Sequence, residues 1–450
     1  MKHVSDLRRH GLFDARVPRF TSYPPANWFS EEVGADCVRT WQSTAPKDAE
    51  ISLYVHIPFC RRLCWFCACR TQGTRNDAPL APYVDRVLAE ARATRTGFGH
   101  AVRTRRLHLG GGTPTILTAA LLDRLLSGLD DIWDLSTVDE FSVEVDPTDV
   151  GPKRLAMLRQ HGLSRVSLGI QDFDPQVQKA IGRAQSRALT ADVVAQVRDL
   201  GVQGLNFDLL YGLPFQTRTS LAQTLQAALD MAPARIALFG YAHVPWMSKR
   251  QSLIPSDALP KPEHRLALFD LARRTLLGQG YVQIGIDHFA RPDDALAQAF
   301  FDKRLTRSFQ GYTDDTAPYL IGLGASAIST YPQGFAQNIP VTGKYAAQID
   351  ADQPALWRGY ALNGVDHLKA DVVAQMMCYH AATLSDAHLA DPTVLSAVLH
   401  IVERFKEAVS WDGKTLTIAR WAHPLVRQIA GTLTTDHPAQ ADKRTYSAAI

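Results

Sequence analysis

The sequence predicts an α/β protein whose core is a barrel-like array of at least six strand-then-helix units, and three observations predict it. Short runs rich in β-branched and aromatic residues recur from Leu53 to Ile286. Amphipathic helical stretches separate them, which makes the strands parallel and the helices crossovers. Polar residues gather at, near or just past the C-terminal ends of the predicted strands, where (β/α) barrels carry their chemistry.

Taken in order, residues 1 to about 50 form an arm containing Pro, Trp and Arg. Its segment Pro18-Arg19-Phe20-Thr21-Ser22-Tyr23-Pro24 is too irregular for a long helix. Strands are predicted at Leu53–Ile57, Arg106–Leu109, Phe141–Val145, Arg165–Ile170, Leu205–Leu210, Ile236–Ala242 and Val282–Ile286. Between them, Leu121, Leu122, Leu125, Leu126 and Leu129 make one helical stripe, and Leu221, Leu225, Ala228 and Leu229 another. The same alternation suits an open doubly wound sheet. The placement of Cys60, the glycines after Leu109, Glu144, Gln171, Asp208 and His243 at strand ends favours the barrel. Carboxylates in such positions point to an enzyme, because buried strand interiors rarely keep them without a task. From about residue 365 the pattern is mainly helical, with apolar spacing over Asp371–His380 and Leu395–Phe405 and a short strand at Thr415–Ile418. The expected division is an arm at 1–49, the barrel with its extension at 50–364, and a mainly helical C-terminal domain at 365–450.

A chain of 450 residues with 46% hydrophobic and 21% charged content can bury a large core. Its formal charge of +3 is close to neutral for that size, which argues against a nucleic-acid binder held by bulk charge. The N-terminal sequence has no signal-like apolar stretch and no run approaches a membrane span, so a cytoplasmic protein with reduced thiols is expected.

That compartment matters because four of the six cysteines fall within ten residues, Cys60-Arg-Arg-Leu-Cys64-Trp-Phe-Cys67-Ala-Cys69. Thiols this dense mean a metal site, a redox site or a disulfide knot, and a reducing compartment favours metal. The C-x3-C-x2-C spacing of Cys60, Cys64 and Cys67 can hold three corners of a [4Fe–4S] cluster and leave the fourth iron open to a small molecule. A zinc site using all four thiolates is the alternative, although zinc sites usually pair two separated C-x2-C knuckles and no second knuckle is present. Cys69 is either a loop thiol placed there by chance or a group near the reacting centre. Cys37 and Cys378 stand alone and are read as small buried hydrophobes.

Ten segments together resemble one family. They are PRFTSYP at 18–24, YVHIPFCRRLCWFCAC at 54–69, HLGGGTPT at 108–115, SVEVDPTD at 142–149, SLGIQDF at 167–173, NFDLLYGLP at 206–214, YAHVP at 241–245, IGIDHFARPDD at 284–294, FQGYT at 309–313 and GLGASAIS at 322–329. The loop resembles that of the radical S-adenosylmethionine (SAM) enzymes. The whole set resembles the oxygen-independent coproporphyrinogen III dehydrogenases of haem biosynthesis, with the likeness weakening after about residue 380.

The resemblance implies a partial (β/α)6 TIM-like radical SAM barrel with an N-terminal arm and a mainly helical C-terminal domain. It implies cluster ligation by Cys60, Cys64 and Cys67 and two bound SAM molecules. Tyr54, Gly111, Glu144 and Ile328 would contact one SAM. Phe66, Gly112, Thr113, Gln171, Arg183, Asp208 and Ala242 would contact the second, with Gln310 in the segment lining that site. Trp65 stands where family members often carry another aromatic. The implied reaction is oxidative decarboxylation of the ring A and B propionates of coproporphyrinogen III by a SAM-derived 5′-deoxyadenosyl radical, giving protoporphyrinogen IX. The partners would be that substrate and a reducing donor such as flavodoxin or ferredoxin, for a monomer engaging neither nucleic acid nor a membrane. Arg8, Arg9, Arg16 and Arg19 of the arm are candidate propionate ligands. The alternatives are a haem chaperone or another radical SAM enzyme acting on a tetrapyrrole. Chaperones of this scaffold typically lack the PRFTSYP arm and the second thiol of Cys67-Ala68-Cys69, and this chain has both.

Overall fold

The computed structural model describes residues 3–18, 20, 23–309, 311–434, 446 and 448–449. Six parallel strands, β1 (Ala49–Ile57), β2 (Val102–Gly111), β3 (Glu140–Val145), β4 (Arg165–Gln171), β5 (Gly204–Tyr211) and β6 (Arg235–Gly240), pair in sequence order. β6 does not return to β1, so the barrel is partial, as expected. Beyond β6 lies an antiparallel hairpin of β7 (Val282–Ile284) and β8 (His288–Ala290). The seventh predicted strand is therefore shorter than its apolar run and is not another parallel barrel strand. On the other side, β1 pairs in parallel with β9 (Tyr319–Leu323), and β10 (Ile328–Tyr331), β11 (Gly334–Asn338) and β12 (Leu356–Ala361) follow antiparallel. The result is one twelve-stranded sheet.

Strand alternation gives the sheet two chemically different faces. In β3, Phe141, Val143 and Val145 are buried while Glu140, Ser142 and Glu144 are only partly so. The apolar set meets the crossover helices, among them Ala119–Trp133, where Leu122, Leu125, Leu126 and Leu129 are fully buried. Each such leucine stabilises the fold by about 1.5–3 kcal/mol. Thr118 starts that helix by accepting from the Leu121 N–H at 3.2 Å.

The opposite face lines a polar lumen. Its lowest layer is ionic: Arg165 Nε lies 2.7 Å from Glu140 Oε2, Arg106 Nη2 2.7 Å from Asp314 Oδ2, and Arg235 Nε 2.6 Å from Asp294 Oδ1. Burial pushes the Glu140 carboxyl up, but the Arg165, Arg235 and Arg106 guanidinium groups overcome it and hold it below its ordinary value. Breaking one member of such a network costs about 3–5 kcal/mol, because its partners stay charged and buried. One layer higher, His108 bonds Ser142 at 2.6 Å and Asn206 donates to Ser167 at 2.6 Å. Tyr54, Glu144 and Asp208 form the top.

After Asn363, which caps the helix Gly364–Tyr379, come the helix Pro392–Phe405 and a three-stranded sheet of Ala381–Thr383, Thr415–Ile418 and Val409–Trp411. The expected strand at Thr415–Ile418 is its middle member. This region shares one apolar core with the arm: Leu7, Leu12, Phe13, Phe20, Tyr23 and Trp28 pack with Val372, Met376, Ile401, Phe405 and Leu425. Arg427 ties the two chemically by donating to the carbonyls of Val17 at 2.7 Å and Pro18 at 3.0 Å. Cys378 is buried as expected, whereas Cys37 is only partly buried.

Candidate active site

The site begins where β1 ends. Pro58 interrupts the strand, Phe59–Cys60 pair with Gln72–Gly73, and the loop between is thereby closed on itself. Cys60 and Cys64 are buried, Cys67 is half-buried and Cys69 is exposed; all four are free thiols. The end of β2 lies directly against this loop, and only glycine permits that approach. A Cβ on Gly112 would stand 2.7 Å from the Phe59 carbonyl oxygen and 2.9 Å from Cys60 Sγ. Gly111, at φ +116°, could carry no ordinary side chain without strain, and its N–H donates to Glu144 Oε2 at 3.0 Å.

Several polar donors address the sulfurs. Thr113 Oγ1 lies 3.6 Å from Cys60 Sγ, and Arg183 Nη1 lies 3.4 Å from Cys64 Sγ. Arg183 also pairs with Asp146 at 3.2 Å and donates to the Gly169 carbonyl at 2.7 Å. Burial pushes the Cys60 thiol up to about 11. Cys67 is drawn down to about 6, chiefly by the hydrogen bond from Cys69, whose own thiol is raised by the same contact. Among the described residues no three metal-binding side chains sit together as ligands to one ion. A cubane is held differently, by thiolates spread round its corners. Three thiols with a guanidinium and a hydroxyl donating to them fit that group, since such bonds stabilise anionic sulfur and tune a cluster's potential.

The rim of the loop is clamped from one segment. Ser248 Oγ donates to the Cys67 carbonyl at 3.0 Å, and Arg250 Nη2 to that of Cys69 at 3.3 Å. The fully buried Gln251 donates to the carbonyls of Phe66 at 2.8 Å and Ala242 at 3.1 Å, so it joins two of the expected SAM contacts. Trp65 and Phe66 pack on Val177, Ile181, Leu210, Leu213, Tyr241 and Ile254.

The remaining expected residues line the upper lumen. Tyr54 stacks on His108 with ring centres 5.7 Å apart, and its hydroxyl bonds His56 Nδ1 at 2.9 Å. Asp208 accepts from Ser167 at 3.1 Å and Asn206 at 3.0 Å; burial and then the Glu144 charge push it up to about 6. Gln171 sits at φ 71°, where the pairing of β4 with β5 slips. Ile328 comes to the same end beside Gly322, which pairs with Tyr54 and on which a Cβ would stand 2.6 Å from the Ile328 carbonyl oxygen. Gln310 and Arg19 lie outside the described residues, as does part of the tail. Of the other arm arginines, Arg8 pairs with Glu263 at 2.6 Å and Arg9 with Glu407 at 2.5 Å, while Arg16 lies 5.2 Å over the Trp246 ring. The sequence reading missed Asp146, Ser248, Arg250 and Gln251. Asp146 was available within the SVEVDPTD segment, whereas nothing in the spacing marks the other three.

An open parallel barrel with three thiols in the loop after its first strand, over the top of a polar lumen, defines a radical SAM core, and the radical SAM superfamily model matches residues 54–228. Among curated proteins, the oxygen-independent coproporphyrinogen III oxidase of Paracoccus denitrificans is 47% identical over 434 residues, covering 96% of each chain. That of Escherichia coli is 39% identical over 373 residues, covering 83% of this chain and 81% of its own. The solved coproporphyrinogen III oxidase of Escherichia coli, described as a radical SAM enzyme, superposes with a TM-score of 0.88 at 35% identity, over 93% of this chain and 98% of that one. The chain belongs to the oxygen-independent coproporphyrinogen III oxidase family.

Proposed function

We propose that the protein decarboxylates coproporphyrinogen III oxidatively to protoporphyrinogen IX without oxygen. One observation carries the reading: three loop thiols lie over a lumen rimmed by carboxylates and glycines, in a chain matched to this family along nearly its full length. The propionates of rings A and B would each lose a hydrogen atom from the β-carbon, then CO2 and one electron, leaving a vinyl group. The cluster, when bound, supplies the electron that splits SAM to make the hydrogen-abstracting radical.

The protein's own residues do the holding. Cys60, Cys64 and Cys67 would ligate the cluster, with Arg183 and Thr113 donating to their sulfurs. Tyr54, Gly111, Glu144 and Ile328 would contact one SAM, and Phe66, Gly112, Thr113, Gln171, Arg183, Asp208 and Ala242 a second, with Gln310 beside it. Cys69, hydrogen-bonded to Cys67, would stand near the reacting centre and keeps no assigned role. The arm and the C-terminal region would cap the lumen and keep water from the radical. Arg16 over Trp246 remains a candidate propionate ligand. The electron would come from a small reducing protein such as flavodoxin or ferredoxin. The chain would act as a cytoplasmic monomer, engaging neither nucleic acid nor a membrane; no helix of the described residues is long and apolar enough to cross one.

Anaerobic reconstitution with iron and sulfide tests the reading. A brown protein that cleaves SAM on reduction, and loses both properties in C64S, is expected. A protein that takes up zinc alone, or that binds haem and leaves SAM intact, would overturn it.

A further inference from the structure

A tetrapyrrole with four carboxylates needs cations, and several arginines of the arm and the site are already engaged. Arg183 is held by Asp146, Arg61 by Asp77, Arg8 by Glu263 and Arg9 by Glu407. Arg358 and Arg70 differ: among the described residues neither has a carboxylate partner, and the side-chain bond of Arg358 goes to a neutral amide.

Arg358 lies in β12 opposite Gln337 of β11, and Gln337 lies opposite Ile328 of β10. Directly opposed residues share a face of an antiparallel sheet. The row Ile328–Gln337–Arg358 therefore carries Arg358 on the face that presents Ile328 to the site. Its Nε donates to Gln337 Oε1 at 2.8 Å, which leaves the outer edge of the guanidinium turned away from that bond. Its Cζ lies 4.2 Å from the Trp357 ring centre and 5.8 Å from that of Phe29. Phe29 in turn stacks on Phe335 at 5.6 Å and meets Phe309 edge-on at 6.0 Å. Arg70 directly follows Cys69 and is exposed, and its carbonyl accepts from His56 Nε2 at 3.1 Å. Burial lowers the affinity of Arg358 for its proton, and the charge of Arg70 lowers it further. Two guanidinium groups that repel each other raise the free energy of the ligand-free protein. A carboxylate set between them offsets that repulsion, and the pyrrole rings of the substrate would cover the aromatic rings.

We propose that Arg70 and Arg358 form the site that binds propionate carboxylates of the substrate, with Phe29, Phe309, Phe335 and Trp357 as its apolar floor. The proposal rests on the substrate class argued above. Guanidinium forks suit carboxylates because two parallel N–H donors meet two oxygens.

The test uses the reconstituted full-length protein under anaerobic conditions. Coproporphyrin III binding is followed by fluorescence, against its tetramethyl ester as the uncharged probe, alongside KM for coproporphyrinogen III and the Kd for SAM. In R358Q and in R70Q, coproporphyrin binding should weaken and KM rise at least tenfold, with R358K less affected. The wild-type preference for the free acid over the ester should shrink by the same factor, and the Kd for SAM should not move. Unchanged substrate constants in both variants would overturn the proposal. So would a loss of SAM affinity with substrate binding intact, which would assign the pair to the cofactor's carboxylate. If R358Q fails to fold, R70Q, on an exposed loop position, still decides. Should wild type itself neither bind coproporphyrin nor decarboxylate, the substrate reading fails first and this proposal falls with it.

Discussion

Asp208 shows how a single side chain trades stability for a site. Its folded value of about 6 lies above that of an ordinary carboxyl, because it is buried and faces Glu144. A group raised on folding stabilises the protein fully below its unfolded value and loses that contribution as pH rises through its folded value. Ionised Asp208 is therefore a cost at neutral pH in the ligand-free protein. Asp208→Asn should stabilise that protein by about 1–2 kcal/mol at pH 7 and by almost nothing at pH 4, while weakening SAM binding. Thermal melts at the two pH values, with a SAM titration, check this; equal stabilisation at both would contradict it. The position of Asp208 was legible in the sequence, because a carboxylate at the C-terminal end of a predicted strand is conspicuous. Its partner Ser167 was less so, since it meets Asp208 from the neighbouring strand β4 through a pairing that no local pattern reveals.

At the scale of elements, alternation made the barrel readable. β3 and β4 keep strict inside–outside order because one face packs on helices and the other on a polar lumen. β9 to β12 escaped that reading. They are short, glycine interrupts β9, β11 and β12, they pair antiparallel with one another, and their place is fixed by the long-range parallel pairing of β9 with β1. The clamp at Ser248–Gln251 was equally silent, since a buried glutamine has no period to betray it.

The C-terminal region carries an acid-sensitive joint of the same unforeseeable kind. His380 ends the helix Gly364–Tyr379 at φ 55°, and its ring stacks on His423 with centres 3.7 Å apart. Burial, then His423 and Arg273, press His380 down to about 3. The folded form thus refuses a proton that the unfolded chain accepts below about 6.5. Stability should fall by about 2 kcal/mol from this residue between pH 7 and pH 5. His380→Asn keeps a residue that tolerates the left-handed helix end and should flatten that loss. Denaturant melts at pH 7 and pH 5 check it, and parallel losses in both proteins would rule it out.

The whole molecule is organised round the thiol loop, with the arm and the C-terminal region sharing one core. Deleting residues 1–33 would strip Leu7, Leu12, Phe13, Phe20, Tyr23 and Trp28 from it. At about 1.5–3 kcal/mol for each fully buried apolar side chain, the C-terminal region should then melt ahead of the barrel in calorimetry. A single transition at the wild-type temperature would contradict the shared core.

The central claim is that this architecture serves decarboxylation of a haem precursor, and one assay tests it directly. Reconstituted protein is incubated anaerobically with coproporphyrinogen III, SAM and a reductant, and CO2 is counted against tetrapyrrole product. The account predicts two CO2 for each molecule of protoporphyrinogen IX formed, and none from C60S. SAM cleavage that yields no CO2 from the tetrapyrrole would contradict it.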